Sequence, residues 1–288
     1  MEVSDASYQI IAELLAANTG QQLTQCRRWR VGTALAGIFR ERGISNIDQL
    51  VCLLATPRET QLAQDVVEAL LNNETYFFRD KPTFDQLPDD ILPALAERRR
   101  DSRRLRIWCA GCSTGQEAYS MAIQFTNQGA RWDGWTIDIL GTDVSQKAIE
   151  TARSGLYSQF EVQRGLSVSQ MLQHFDETPR GWQIHSDTRS AVRFTQHNVL
   201  DAAPSGGRFD LILCRNVLLY FSRSTREQAF TRLQSALASD GFLMLGAGET
   251  VVGQTDLFET FVNRASIYKP VPQAALNSQS ELRAWASR

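Results

Sequence analysis

From residue 105 onward the chain alternates short apolar runs with segments of helical period, and that alternation restricts it to one class of architecture. "LRIWC" precedes "GQEAYSMAIQF", in which Ala118, Met121, Ala122 and Phe125 recur at i, i+3, i+4 and i+7. "WTIDIL" at 135–140 is the next strand, followed by a helix for which Ser145 is the expected N-cap. "AVRFTQHNV" and "RFDLILC" read as further strands, "STREQAFTRLQSALASDG" as a helix opened by a Ser224 to Glu227 capping box and followed by Gly241, and "GFLMLGAGE" as another strand. Apolar strands joined by helical crossovers form a mostly parallel, doubly wound α/β sheet covered on both faces.

The first strand-to-helix connection, "CAGCSTG", consists almost entirely of small residues. Such a turn lets backbone approach a ligand, and the helix that follows offers unpaired N–H groups beside a partial positive charge. Gly111 and Gly115 belong to this turn, although the strict G-x-G-x-x-G is absent. At the end of the next strand stands Asp143, an acid able to accept both hydroxyls of a ribose; its simpler reading is an Asx turn. The same turn holds Cys109 and Cys112 at redox-pair spacing. A closed zinc site needs a second ligand pair, and His174, His185 and His197 with the other cysteines supply none, so no metal is expected.

Residues before 104 carry no alternating pattern. "QQLTQCRRWRVGTALAGIFRERG" places Leu35, Ile38 and Phe39 on one side and holds five arginines against the single acid Glu41, while "ETQLAQDVVEALLNN" is amphipathic through Leu62, Val66, Val67 and Leu70. A helical domain over 1–80 is expected, then a linker over 81–104 marked by Pro82, Pro88 and Pro93, the α/β domain over 105–270, and a polar tail over 271–288. Periodicity lapses after Gly155, and "RGWQIHSDTRSAVRFTQ" reads as a small antiparallel insert over about 178–195. No run of 18 apolar residues and no signal-peptide layout occur, the net charge is −2, and the five cysteines are odd in number, all of which fit a cytoplasmic protein with free thiols.

Six stretches, "NNETYFFRD", "CAGCSTGQEAYS", "GTDVSQKAIETARSGLYS", "FTQHNVLD", "FDLILCRNVLLYF" and "GFLMLGAGE", in this order and over about residues 10 to 270, resemble the chemotaxis receptor glutamate methyltransferases of the CheR type. The resemblance implies a Rossmann-like class I methyltransferase domain that uses S-adenosylmethionine, a basic helical domain and an inserted β-subdomain. It implies that Asn73, Thr75 and Arg79 reach the cofactor, that Glu117 contacts it although Gln116 replaces a family acid, that Asp143 takes the ribose, that Asn198 and Val199 border the adenine, and that Arg215 and Asn216 close the pocket. Arg79 and Tyr220 are implied at the methyl-transfer site.

The implied partners are the cytoplasmic helices of chemoreceptors, met by Arg27 and Arg30, and a receptor C-terminal peptide added as a strand around 181–193. Each residue has a plainer reading: Tyr220 as core, Phe77 and Phe78 as anchors, Asn73 as a helix C-cap, the arginines as a solvated face. The arginine cluster from 98 to 106 lacks interleaved aromatic residues, so nucleic acid is not an expected partner. Competing functions are methylation of another protein or a small molecule, and a non-catalytic receptor-binding module.

Overall fold

The computed structural model describes residues 4–24, 27–56, 58–261 and 266–272. They divide into two compact units: the residues up to Asn73 together with Tyr220–Thr225, and Glu74–Leu219 together with the residues after Thr225.

The first unit is built on the helices Asp5–Thr19, Arg28–Arg42, Ile47–Leu54 and Thr60–Leu70. Ser4 caps the first by accepting from Ser7 N, and Asn46 caps the third by accepting from Gln49 N. Tyr8, Ile11, Leu15, Val31, Leu35, Phe39, Leu50, Leu62 and Val66 face one another in its core. Val31, Leu35 and Phe39 lie at i, i+4 and i+8, so the buried stripe of the second helix is narrower than its sequence suggests, and Ile38 sits at its margin.

Among its described residues the second unit carries ten strands: β1 (Arg104–Ala110), β2 (Thr136–Asp143), β3 (Leu156–Tyr157), β4 (Phe175–Thr178), β5 (Gly181–Ile184), β6 (Val192–Gln196), β7 (Phe209–Cys214), β8 (Leu237–Leu245), β9 (Phe258–Thr260) and β10 (Ile267–Pro270). Seven form one sheet in the order β6-β2-β1-β7-β8-β10-β9, parallel from β6 to β8 and antiparallel at β10 and β9. β7 is buried at every position and β1 at all but its first, because helices cover both faces. The doubly wound sheet expected from the alternation is therefore present.

Three local expectations change. The stretch 81–104 is not an open linker: it holds the helices Lys81–Phe84 and Leu92–Arg98, and Phe84, Leu87, Ile91, Leu92 and Leu95 enter the core of the α/β unit. Its prolines sit at the starts of helical turns, where a missing N–H is harmless. The small antiparallel sheet has the order β3-β5-β4 and draws on 156–184, whereas the tract 192–196 joins the edge of the main sheet as β6. Hydrophobic alternation alone cannot say which sheet a short strand joins. The helix near 224 runs Arg223–Ala236 and is capped by Ser222, whose Oγ accepts from Thr225 N at 3.1 Å; "LASDG" already belongs to β8.

Three arginines of 98–106 are paired, Arg99 and Arg106 within the fold and Arg100 at the surface. Arg99 bridges Asp210 at 2.7 Å and Asp240 at 2.6 Å, Arg106 pairs with Asp138 at 3.4 Å, and Arg100 with Glu97 at 2.8 Å. No described helix is long and apolar enough to cross a membrane.

Phe77 pins the small sheet to the rest of the unit. Its ring is fully buried, with centroids 5.2 Å from Tyr157 of β3 and 5.4 Å from Phe175 of β4, both edge-on. Phe77→Ala is expected to lower unfolding free energy by about 3–5 kcal/mol in urea titration, and a loss below about 1 kcal/mol would contradict this anchoring.

Candidate functional site

The sheet reverses its direction of growth between β1 and β7: β2 and β6 lie on one side of β1, β7 and β8 on the other. The loops that leave β1 and β7 therefore part at their carboxyl ends, and this crevice is where open α/β sheets hold ligands. Gly111 follows β1, Asp143 ends β2, Asn198 and Val199 follow β6, and Arg215 and Asn216 follow β7.

The β1 loop is tied down by β2. Gly111 N and Cys112 N both donate to Thr142 O at 2.8 Å, and Ser113 N donates to Asp143 Oδ2 at 2.8 Å. Asp143 Oδ1 accepts from Ser145 N at 2.9 Å, which is the Asx turn anticipated as the plainer reading. Thus Asp143 shapes the loop in addition to any ligand role. Gly111 has φ +76°, and a Cβ there would lie 2.4 Å from Val217 Cγ2; at Gly115, φ +96°, it would lie 2.8 Å from Ala152 Cβ. The structure thus attributes the need for these glycines to backbone conformation and to protein neighbours, where the sequence suggested close approach of a ligand.

A buried charge cluster stands beside this loop. The Arg215 side chain is 1% exposed and donates from Nη1 to Glu117 Oε2 at 3.0 Å, and from Nη2 to Asp80 Oδ2 at 3.1 Å and to the Arg79 carbonyl at 2.5 Å. Burial pushes the Glu117 carboxyl above the usual range, opposed chiefly by the Arg215 guanidinium and further by Arg79. Arg79 donates from Nη1 to Glu74 O at 2.7 Å, and its guanidinium lies 5.6 Å from the Tyr76 ring centroid. Thr75 is half-buried in the same segment. Phe78, Asp80, Ser113 and Asn216, four of the six described non-glycine residues with positive φ, fall in these loops. Strain of this kind, about 1–3 kcal/mol each, gathers at functional sites.

Several polar atoms here are buried and, among the described residues, have no hydrogen-bond partner: Asn216 Oδ1, Arg215 Nε and His197 Nε2. Asn198 Oδ1 accepts from Leu200 N at 3.0 Å, and Val199 is buried. Two acids, an unmatched amide oxygen and small-residue backbone at the carboxyl ends of parallel strands suit a ligand with hydroxyls, ring nitrogens and a cationic centre.

The remaining candidate residues belong to the helical unit. Tyr220 Oη accepts from Asn72 Nδ2 at 2.6 Å, which leaves the phenol O–H as a donor, and Tyr220 O accepts from Gln22 N at 2.7 Å. The Arg27 guanidinium lies 4.4 Å from the Tyr220 ring centroid. Arg27 and Arg30 line one groove with Gln21, Gln22 and Asn72, and Arg30 is exposed. Asn73 ends this unit.

Cys109 and Cys112 are free and buried, and burial drives both thiols well above their ordinary values, the reverse of an activated thiolate. Among the described residues no group of three or more His, Cys, Asp or Glu is arranged to hold a metal ion. Sequence reasoning missed Glu249, whose carboxylate accepts from the backbone N–H groups of Asn216, Val217, Leu219 and Gly246 at 2.7, 3.0, 3.2 and 2.9 Å. An acid just after a strand in "GFLMLGAGE" carries no local mark of such partners, three of which lie about 30 residues away.

The family model described as "CheR methyltransferase, SAM binding domain" matches residues 73–267. The chain is 33% identical over 265 residues to "Chemotaxis protein methyltransferase 1" of Pseudomonas aeruginosa, covering 90% of this chain and 95% of that protein. It is 31% identical over 271 residues to "Chemotaxis protein methyltransferase" of Vibrio parahaemolyticus, covering 93% and 98%. Among solved structures it is similar to a TehB-like SAM-dependent methyltransferase from Corynebacterium glutamicum, with TM-score 0.36, 18% identity and coverage of 66% and 93%.

The raised pKa of Glu117 fixes the sign of a pH effect. A carboxyl whose folded pKa lies above its unfolded value of about 4.3 opposes folding increasingly as pH rises from the unfolded to the folded pKa. The stability of the wild type relative to Glu117→Gln should therefore fall across that window in urea titrations at stepped pH. A difference that stays flat or rises would contradict the assignment.

Proposed function

The chain belongs to the CheR methyltransferase family, and from that premise we propose that it transfers a methyl group from S-adenosylmethionine to glutamate side chains of chemoreceptor cytoplasmic helices. The products are glutamate methyl esters and S-adenosylhomocysteine. The observation that carries this reading is the grouping of Glu117, Asp143, Asn198, Val199, Arg215 and Asn216 at consecutive strand ends around the switch point, in a chain whose residues 73–267 match the family. The orphaned Asn216 Oδ1, the buried Asp143 and the partly buried Glu117 fit the cofactor's donors.

When bound, S-adenosylmethionine supplies a methyl carbon on a sulfonium sulfur, which keeps the C–S electron pair as the new C–O bond forms. Asp143 would accept from the ribose hydroxyls, Glu117 would face the cationic amino-acid end, and Val199 would pack on the adenine. Asn73, Thr75 and Asn216 would complete the polar contacts. Arg215 acts through Glu117 and Asp80, because its guanidinium is already engaged by them.

A receptor glutamate is ionised at neutral pH, its ordinary pKa being about 4.3, so no general base is needed and the protein's contribution is positioning and exclusion of water. Arg79 keeps N–H groups beyond the one that meets Glu74 O, and these suit a carboxylate. Tyr220, with its oxygen held by Asn72, offers its O–H as a donor. Acidic receptor helices would meet Arg30 and Arg27, in the cytoplasm. Peptide addition at 181–193 is revised: β5 has partners on both sides, so an added strand would use the other side of β4, which among the described residues pairs only with β5.

Asp143→Ala should raise the Kd for S-adenosylhomocysteine about tenfold or more by calorimetry, the loss expected of hydrogen bonds to a charged acceptor. Arg79→Ala and Tyr220→Phe should each lower labelled methyl transfer to receptor fragments more than cofactor binding; near-normal turnover in both would refute their roles. Label released as methanol under mild base identifies an ester, and base-stable label would instead favour methylation of another acceptor. Arg30→Glu should weaken methylation most at low salt without disturbing Tyr220, whereas Arg27→Glu also removes the cation over its ring.

A further inference from the structure

We propose that Glu249 is the positioning residue of the loop after β7, holding Arg215 and Asn216 in the geometry that the cofactor reading requires, on which this inference rests. Its carboxylate is shared between two pairs of backbone donors. Oε2 accepts from Asn216 N at 2.7 Å and Gly246 N at 2.9 Å, and Oε1 accepts from Val217 N at 3.0 Å and Leu219 N at 3.2 Å.

The Arg215 side chain ties this loop to Glu117 and Asp80, and the loop's backbone amides need partners of their own. Asn216 sits at φ +59°, a conformation that costs an asparagine less than most residues but still must be held from outside. β7 ends at Cys214 and the short helical turn begins at Leu218, so the amides of Asn216 and Val217 have no place in either element. Glu249 takes both, and with Gly246 N it ties the β7 loop to the turn after β8. The two loops are thereby fixed across neighbouring parallel strands.

The consequence reaches the site through the two residues that the clamp brackets. Asn216 N is held directly, so its side-chain Oδ1, buried and without a partner among the described residues, is aimed by the carboxylate of Glu249. Arg215 precedes it, and its guanidinium sets Glu117 and Asp80. Val217 Cγ2 closes against Gly111, with 2.4 Å separating it from the place a Cβ would occupy, so the same clamp also seats the β1 loop. Of the proposed cofactor residues the Glu249 carboxylate meets Asn216, at its backbone N–H, so it acts through the backbone.

An amide at 249 cannot replace this acid. In Glu249→Gln one oxygen becomes an NH2 group that faces two N–H donors, and in Glu249→Asp the carboxylate is one methylene short. The comparison variant is Asp210→Asn, since Asp210 also accepts a backbone amide, Arg106 N at 2.8 Å, but at the start of β7.

The test joins calorimetry with S-adenosylhomocysteine, thermal unfolding and amide hydrogen exchange on the full chain. Glu249→Gln should raise the Kd at least tenfold and speed exchange at Asn216, Val217, Leu219 and Gly246, with exchange in β1 and β2 unchanged. Asp210→Asn should lower Tm yet leave the Kd within twofold, which separates positioning from general loss of stability. Glu249→Gln with an unchanged Kd, or a Kd loss no greater relative to its Tm loss than in Asp210→Asn, would overturn the proposal. If Glu249→Gln does not fold, the wild type decides: slow exchange at the four amides supports the clamp, and exchange at the unprotected rate overturns it. A wild type that binds no S-adenosylhomocysteine would refute the cofactor reading instead, while the exchange arm still decides whether Glu249 holds the loop.

Discussion

The Arg215 guanidinium is the interaction on which the α/β site depends. A charge this deeply buried persists only with partners, and it finds them in two separate parts of the chain: Glu117 at the start of the helix after β1, and Asp80 with the Arg79 carbonyl in the segment that enters the unit. One side chain therefore sets the relation of the β7 loop, the β1 helix and the 74–80 segment. Burial raises the Glu117 carboxyl above the usual range, and Arg215, with Arg79 behind it, opposes that rise only in part; an acid in that state is suited to a further cationic ligand.

Packing supports the same segment from the other side. Phe77 inserts between Tyr157 and Phe175, and Phe78 N donates to Ser120 Oγ at 2.9 Å while its ring meets Phe84. These two aromatic residues are anchors, and through them Thr75 and Arg79 are placed. The positive φ of Phe78 and Asp80 is the cost of turning the chain between these anchors and the Arg215 cluster.

Tyr220 shows how a residue can change its context within one turn. It follows β7 by six residues, yet its hydroxyl, carbonyl and ring are met by Asn72, Gln22 and Arg27 of the helical unit. The arginine-rich helix thus has two kinds of arginine. Arg27 stacks on Tyr220, Arg28 and Arg42 pair with Asp5 and Glu59, and Arg30 stands exposed beside the groove. A count of arginines in the sequence could not separate these roles.

By itself the sequence determined the alternation of strands and helices, the doubly wound sheet, the Ser145 cap and the strand ends at which Gly111, Asp143 and Asn216 stand, because period and capping are local properties. It also carried the family, through six motifs in order. Only the tertiary structure decided that 81–104 packs into the core, that 192–196 joins the large sheet, that the two cysteines are buried, and that Glu249 gathers three distant amides. Those outcomes depend on which groups remain to be buried or paired once the sheet is assembled, and no window of sequence contains both partners.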